Sequence, residues 1–243
     1  MAMPGAAPLD EPVIRFLNQF AQLDPAFDRL VVDIADSALL KGGVFMTYFW
    51  WLWFKNDARS PARRIEIVVA LAGALLAVAI SRILQRLLPY HERLLHAAGA
   101  DFVVPVGVDP NTLSTWSSFP SDHAALFFAL ATAIWYQSRA FGYLAAAWTA
   151  LVICLPRIYL GYHYPSDIYA GAALGILIMM GTLRWGNSAR WPARIVDWSR
   201  GHQTAFYALA FLGTYEITVL FYDLRALGED SFHILRSIMV ASV

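Results

Sequence analysis

The chain has 243 residues, of which 58% are hydrophobic and 15% are charged. A soluble domain usually has about a quarter charged residues, so this composition favours a membrane protein over a soluble one. The 18 basic and 18 acidic residues cancel, which argues against nucleic acid as a partner. The single cysteine, Cys154, excludes a disulfide within the chain and any metal site built of several cysteines.

The first 36 residues precede the first long apolar run and lack the basic start of a cleavable signal peptide. In this segment Val13, Phe16, Leu17 and Phe20 recur at helical spacing between polar residues. The pattern predicts an amphipathic helix. The helix can lie in the membrane interface or pack on the rest of the protein, and the pattern favours neither.

Six apolar segments follow, each near the roughly 20 residues that a helix needs to cross a bilayer. We therefore predict an all-α, polytopic membrane bundle of about six transmembrane helices. The third and fourth segments are short, and we expect their helices to extend a few residues further. The predicted spans are residues 37–54, 65–88, 123–136, 141–156, 168–183 and 204–221.

The short polar gaps between these spans predict one membrane-embedded domain over residues 1–243 rather than two domains. Within it we distinguish an N-terminal interfacial segment, a part with spans one to five, and a final part with a cytoplasmic loop, the last span and the C-terminal tail. Their limits are residues 1–36, 37–183 and 184–243. In span five, Gly171 and Gly175 form a small-x-x-x-small spacing, which predicts close helix packing within one chain or between two copies in a homo-oligomer.

Basic residues crowd two links, the one between spans one and two and the one between spans five and six. An even number of crossings separates these links, so they share one face, and the positive-inside rule makes this face cytoplasmic. The residues are Lys55, Arg59, Arg63 and Arg64 in the first link and Arg184, Arg190, Arg194 and Arg200 in the second.

Three polar segments fall on the opposite, outer face: residues 86–93, 119–123 and 157–167. The first ends span two, the second begins span three, and the third joins spans four and five. Spans three and four form an out–in–out hairpin, so the chain returns to the face where it started. The topology therefore brings the three segments together.

The residue types in these segments suit a phosphate ligand. Arg86, Arg93 and Arg157 can clamp a tetrahedral oxyanion through bidentate, charge-assisted hydrogen bonds. Ser121 begins a helix, where free backbone amides and the positive end of the dipole favour an anion. Phosphoryl transfer needs mainly positioning and charge neutralisation, which arginines can supply, so we expect neither a metal nor another cofactor.

Two histidines in the same segments, His123 and His163, can carry the reaction. One imidazole can attack phosphorus while the other protonates the leaving oxygen. Pro165 suits the first turn of span five, which leaves His163 just outside that helix. Asp167 then lies close enough to accept a proton from His163 and to fix its tautomer.

The three segments resemble the signature of the type 2 phosphatidic acid phosphatase (PAP2) superfamily, which reads Lys-x6-Arg-Pro, Pro-Ser-Gly-His and Ser-Arg-x5-His-x3-Asp. Residues 157, 163 and 167 keep the spacing of the third motif, and residues 18–28 look like bacterial undecaprenyl pyrophosphate phosphatases of this superfamily. The resemblance implies a PAP2/haloperoxidase-like helical core. It implies the following roles: nucleophile for His163, forming a phosphohistidine; orienting partner for Asp167; general acid for His123; and phosphate binding for Arg86, Arg93, Ser121 and Arg157.

Four positions depart from the pattern. Arg86 stands for lysine, Leu94 for the proline after Arg93, and Pro156 for the serine before Arg157; none of these changes removes a reacting group. Asp122 stands for glycine, which makes it a possible modulator of the site. Its carboxylate can repel the phosphate, or it can be a first-turn helix residue stabilised by the dipole; we favour the second interpretation.

The resemblance implies an integral membrane hydrolase that removes the phosphate or pyrophosphate of a lipid. Our first choice of substrate is an undecaprenyl or other polyprenyl pyrophosphate or phosphate. Phosphatidic acid, phosphatidylglycerol phosphate and a lipid A phosphate remain alternatives. The chain could also be a phosphotransferase that uses a second acceptor, or a non-catalytic transporter or scaffold. A soluble vanadate haloperoxidase has the same signature, but the apolar spans argue against it.

The expected partners are the lipid phosphate and the surrounding membrane lipids. The arginine-biased links and the missing targeting peptide fit the bacterial inner membrane, with the active site facing the periplasm.

Overall fold

The computed structural model describes residues 6–97 and 101–220, and over these residues the chain is helical with no β-strand. The end of the sixth predicted span, Phe221, lies outside the described residues. The helices are α1 (Asp10–Asn18), α2 (Pro25–Asp36), α3 (Val44–Phe54), α4 (Ser60–Leu87), α5 (Asp122–Gln137), α6 (Arg139–Trp148), α7 (Leu155–Tyr159), α8 (Pro165–Gly186), α9 (Arg190–Gly201) and α10 (Gln203–Thr218).

Two π-helical turns are continuous with the neighbouring α-helices. Leu39–Gly43 precedes α3 without a break, and Thr149–Cys154 joins α6 to α7 in one continuous helix, Arg139–Tyr159. Wide turns of this kind are rare and often occur at functional sites. Here both lie within predicted spans.

Each of the six predicted spans coincides with a helix, which confirms the all-α class. Among the described residues, three helices are long and apolar enough to cross a membrane: α4 with 28 residues, Arg139–Tyr159 with 21 and α8 with 22. The other three are shorter. For example, the 16 residues of α5 extend about 24 Å, less than the roughly 30 Å of a bilayer core.

Helix α5 is central and packs against α4, α6 and α8. The contact with α8 is close because glycines face the α5 backbone. A Cβ atom on Gly171 would lie 2.3 Å from the carbonyl oxygen of Ser121, and one on Gly175 would lie 2.1 Å from that of Ala125. The predicted small-residue packing thus occurs within one chain.

The N-terminal helices pack on the bundle, since α1 contacts α7 and α8 and α2 contacts α7. Two fully buried aspartates connect these helices to the rest of the protein through hydrogen bonds. Asp10 accepts hydrogen bonds of 2.8 Å from the backbone N–H and the hydroxyl of Ser166 at the start of α8. Asp28 accepts hydrogen bonds from the Tyr159 hydroxyl and, at 2.7 Å, from the N–H of Val106.

Candidate active site

The three polar segments meet at one end of the bundle, as the topology predicts. The N–H of Ser121 donates to the carbonyl of Asp167 at 3.1 Å, which ties the start of α5 to the first turn of α8. The N–H of Ser118 donates to the carbonyl of His91 at 2.9 Å, which ties the second segment to the first. The backbone itself therefore fixes the relative positions of the segments.

His163 lies in the short connection between α7 and α8 and is 2% exposed. Its Nδ1 is 3.4 Å from Oδ2 of Asp167, which lies in the first turn of α8 and also accepts the N–H of Tyr164 at 2.9 Å. A proton on Nδ1 directed at this carboxylate leaves the lone pair on Nε2, the nitrogen that faces Arg93. The geometry presents Nε2 as a nucleophile.

Burial also favours the neutral form of this imidazole. Desolvation lowers the pKa of His163 below its usual value, and the hydrogen bond to Asp167 opposes this shift. A neutral His163 at pH 7 is the form that can attack an electrophile.

His123 is in the first turn of α5, beside Asp122. Its Nδ1 is 2.9 Å from Oδ1 of Asp122, and Oδ2 of the same carboxylate is 3.4 Å from Nε of Arg82 on α4. The second histidine therefore also has a carboxylate partner. The ligand atoms of Asp122, His123 and His163 all lie within 4.8 Å of one another.

Two of the three predicted arginine ligands reach the same place. Arg93 is 4% exposed; its guanidinium donates to the carbonyls of Tyr162 and, at 3.3 Å, Ser117, and it lies 3.5 Å from Nε2 of His163. Its Nε is buried and has no hydrogen-bond partner among the described residues. A buried charged donor without a partner is rare, and this one is available to an anionic ligand.

Arg157 at the end of Arg139–Tyr159 is buried, with 5% of its surface exposed. It donates to the carbonyl of Ile153 at 3.0 Å and to that of Ala35 at 3.4 Å. Because Ala35 is on α2, the N-terminal helices help to hold this arginine.

Arg86 and Ser121 lie elsewhere. The guanidinium of Arg86 is exposed and sits over the Trp116 ring, 5.8 Å from its centroid. The Ser121 hydroxyl caps α5 by accepting the N–H of Ala124 at 3.3 Å. Neither lines the cavity between the histidines, so their contact with phosphate stays a prediction from the sequence.

This cavity has a volume of about 480 Å³ and opens to the outside of the bundle. Gln85 and Trp116 contribute to its wall. The charged and titratable residues that line it are Asp36, Lys41, Arg93, Asp122, His123, Arg157, Tyr162 and His163.

Lys41 is a site residue that the sequence reasoning missed. It lies in the π-helical turn Leu39–Gly43, which directs it into the cavity, and it has no salt bridge within 4.0 Å among the described residues. The available signal was its position in a predicted span, because a lysine there needs a partner or a task.

His91 is a second residue without a predicted role. Its Nδ1 is 2.7 Å from the Ser118 hydroxyl and 3.6 Å from Oδ1 of Asp167. It thus lies behind the His163–Asp167 pair and connects this pair to the second segment.

The close approach of Asp122, His123 and His163 gives them the donor atoms of a metal site. The cations that line the same cavity, Lys41, Arg93 and Arg157, repel a metal ion and attract an anion. The donor set and the charge of the wall together fit a phosphate better than a metal.

Comparison with known families gives a match over residues 94–191 to the family described as PAP2 superfamily. The matched stretch includes the second and third polar segments, with both histidines and Asp167. Arg86 and Arg93 lie before it.

Three curated bacterial proteins are similar to the chain. A decaprenylphosphoryl-5-phosphoribose phosphatase of Mycobacterium tuberculosis is 40% identical over 119 residues, which cover 49% of this chain and 60% of that protein. The putative undecaprenyl-diphosphatase YbjG of Escherichia coli is 30% identical over 127 residues, 52% of this chain and 58% of that protein. The lipid A 1-diphosphate synthase of Escherichia coli is 28% identical over 178 residues, 70% of this chain and 73% of that protein.

Among solved structures, the crystal structure of Aquifex aeolicus LpxE has the same fold. The two structures superpose with a TM-score of 0.51 and 20% sequence identity, covering 76% of this chain and 100% of that one.

Proposed function

Because residues 94–191 match the PAP2 superfamily, we propose that this chain is a member of that superfamily and a membrane phosphatase that hydrolyses the phosphate or pyrophosphate head of a polyprenyl lipid. The observation that carries the proposal is the pair of histidines, each with its own carboxylate, at one cavity lined by cations. His163 with Asp167 and His123 with Asp122 offer two imidazoles close enough to act on a single phosphoryl group.

The first step is attack on phosphorus by Nε2 of His163. The new N–P bond forms as the bond from phosphorus to the leaving oxygen breaks, and His123 donates a proton to that oxygen. The products are a phosphohistidine and a lipid alcohol, or a lipid monophosphate when the substrate is a pyrophosphate. Arg93 and Arg157 neutralise the charge on the transferring group.

The second step regenerates the enzyme. His123, now neutral, accepts a proton from water, and the resulting hydroxide forms a bond to phosphorus while the N–P bond breaks. Phosphate leaves, and both histidines return to their starting protonation states. Asp167 holds His163 in the required tautomer through both steps.

The substrate class follows from the relatives and the cavity. Two of the similar proteins are named for decaprenyl and undecaprenyl substrates, which makes a polyprenyl phosphate or pyrophosphate the first choice. Lys41 adds a third cation beside Arg93 and Arg157, which suits the larger charge of a pyrophosphate.

A second candidate is a phosphotransferase, in which an acceptor other than water attacks the phosphohistidine. The similarity to a protein named lipid A 1-diphosphate synthase favours this candidate. Acceptor-dependent turnover would distinguish it from hydrolysis.

We further propose that all six helices cross or enter the bacterial inner membrane, with the cavity facing the periplasm. The three shorter helices support this proposal because each coincides with an apolar segment of the sequence. The arginines of the two links lie at the other end of the bundle, as the positive-inside rule requires of a cytoplasmic face.

The test is phosphate release by purified protein in detergent from a panel of lipid phosphates and pyrophosphates, in the presence of EDTA. Wild-type protein should release phosphate, and His163→Ala should lose at least about 10³-fold of the rate, because it lacks the assigned nucleophile. His202→Ala is the matched control, since His202 is exposed and stacks on Trp198, away from the cavity.

Loss of release in EDTA would contradict a reaction without metal. Full release by His163→Ala would contradict the assigned nucleophile. No release from any lipid, with folded protein, would favour the phosphotransferase or a non-catalytic transporter or scaffold.

A further inference from the structure

Asp122 occupies the place where the family pattern has glycine, so the pattern assigns no role to its carboxylate. The structure places that carboxylate between two partners. Oδ1 is 2.9 Å from Nδ1 of His123, and Oδ2 is 3.4 Å from Nε of Arg82. Arg82 is itself held, because its Nη2 donates to the carbonyl of Leu220 at 2.9 Å.

The two contacts bear on whether the Asp122 carboxylate repels a bound phosphate. A free carboxylate beside the cavity would oppose binding of a phosphate, whereas this one is neutralised by Arg82 and directed at the far side of the imidazole. Asp122 is also in the first turn of α5, where the helix dipole favours a negative charge. The carboxylate is therefore compatible with an anionic substrate.

The surroundings of His123 show what the carboxylate adds. The charged groups that act on this imidazole from other elements are mostly cations: Arg157 from α7 and Lys41 from the π-helical turn. His163 lies across the cavity. Asp122 is the carboxylate in direct contact with His123, and the contact is made through Nδ1 of the imidazole. With Nδ1 engaged, Nε2 is the nitrogen left for a substrate.

We propose that Asp122 is a positioning residue that acts through His123. It fixes the imidazole so that Nε2 faces the leaving oxygen, and it stabilises the imidazolium that donates the proton, while Arg82 holds the carboxylate in place. The inference rests on the proposed function, because it assumes that His123 is the general acid. It gives the chain two histidine–carboxylate pairs, one for the nucleophile and one for the general acid.

The role has a specific kinetic consequence. A general acid accelerates departure of a basic alkoxide strongly and departure of a weakly basic leaving group little, because the latter leaves without a proton. The loss of rate caused by a misplaced His123 should therefore depend on the leaving group. A loss of rate caused by misfolding or by weaker phosphate binding should not.

The experiment compares Asp122→Asn and wild-type protein on an alkyl phosphate lipid and on p-nitrophenyl phosphate. We expect kcat/KM for the alkyl phosphate, which reports formation of the phosphohistidine and not its hydrolysis, to fall at least about tenfold, with little change in KM. The value of kcat/KM for p-nitrophenyl phosphate should fall much less. Asp122→Glu should recover part of the loss, and Arg82→Gln should reproduce a smaller version of the same pattern.

Inhibition by inorganic phosphate serves as a measure of the intact binding site and should be the same in Asp122→Asn and wild type. Equal losses with both substrates would overturn the inference and indicate a structural role. A change confined to KM would overturn it too, as would a faster Asp122→Gly variant, which would show that the carboxylate restrains the site.

The experiment distinguishes failure of the proposed function from failure of the proposed role of Asp122. Wild-type protein that hydrolyses neither substrate contradicts the proposed function itself. Wild-type protein that hydrolyses both, with Asp122 variants that match it, contradicts only the role of Asp122.

Discussion

At the scale of single residues, the proposed mechanism depends on the protonation state of His163. The imidazole must be neutral to attack, and burial lowers its pKa from the usual value of about 6.5. The group therefore stays neutral as the pH falls through that value and becomes protonated only at lower pH. We expect the acid limb of the pH profile of kcat/KM to lie below about 6.5, measured from about pH 5 to pH 8.

The ionisation of the substrate phosphate can produce a limb in the same range, so an enzyme variant is needed to assign it. The hydrogen bond and charge of Asp167 raise the pKa of His163 against burial. Asp167→Asn should therefore move the acid limb to still lower pH, and it should also decrease kcat. A limb set by the pKa of the substrate phosphate would not move in this variant. A limb that stays in place in Asp167→Asn would assign it to the substrate.

The sequence predicted the pairing of His163 with Asp167 because the two residues flank the start of a helix and proline marks that start. It did not predict the contact of Asp122 with Arg82, which are 40 positions apart on different helices. Such a contact depends on how α4 rotates against α5. Lys41 was missed for a similar reason, since a π-helical turn changes the direction in which a residue points.

At the scale of helices, apolar runs predicted where each helix lies, because burial in lipid or in the core requires them. The fourth predicted span, 141–156, lies in the helix Arg139–Tyr159, which extends a few residues beyond it, as expected. The apolar runs did not predict α9, the helix in the arginine-rich link after α8. Polar residues at helix ends are compatible with both helix and loop, so hydropathy alone does not set these limits.

The contact of α5 with α8 has a direct test in Gly175. An alanine Cβ at this position would lie 2.1 Å from the carbonyl oxygen of Ala125, so the two helices must separate. We expect Gly175→Ala to cost about 1–3 kcal/mol and to lower the thermal unfolding midpoint in detergent, followed by tryptophan fluorescence.

The matched control is Gly213→Ala in α10, where a Cβ atom meets nothing within 4 Å. Alanine favours a helix over glycine by up to about 1 kcal/mol, so this variant should be as stable as wild type or more so. Equal midpoints for Gly175→Ala and Gly213→Ala would show that α5 and α8 can move apart without loss.

At the scale of the whole molecule, the site depends on parts of the chain that are distant in sequence. The N-terminal helices support Arg157 through the carbonyl of Ala35 and are fastened to α8 by Asp10. The sequence left open whether this segment lies in the interface or packs on the bundle. The structure shows packing, while Phe16 and Phe20 remain 62% and 42% exposed, so the same helix can also contact lipid.

The orientation of the molecule can be tested with a thiol reagent that does not cross membranes. The native Cys154 is 2% exposed and should not react. Cysteines introduced at exposed positions then report their side: Asn111→Cys near the cavity, and Asn56→Cys and Ser188→Cys in the two basic links.

In intact spheroplasts, we expect labelling of Asn111→Cys only, because the positive-inside rule places both links in the cytoplasm. Permeabilised cells should label all three variants, which controls for reactivity. Labelling of both links from outside would show that the orientation is the reverse of the proposed one and that the cavity faces the cytoplasm. Labelling of one link alone would require an odd number of crossings between them and would contradict the six-span arrangement. The two links therefore test side and span number together, since an even number of crossings must return both to the same compartment.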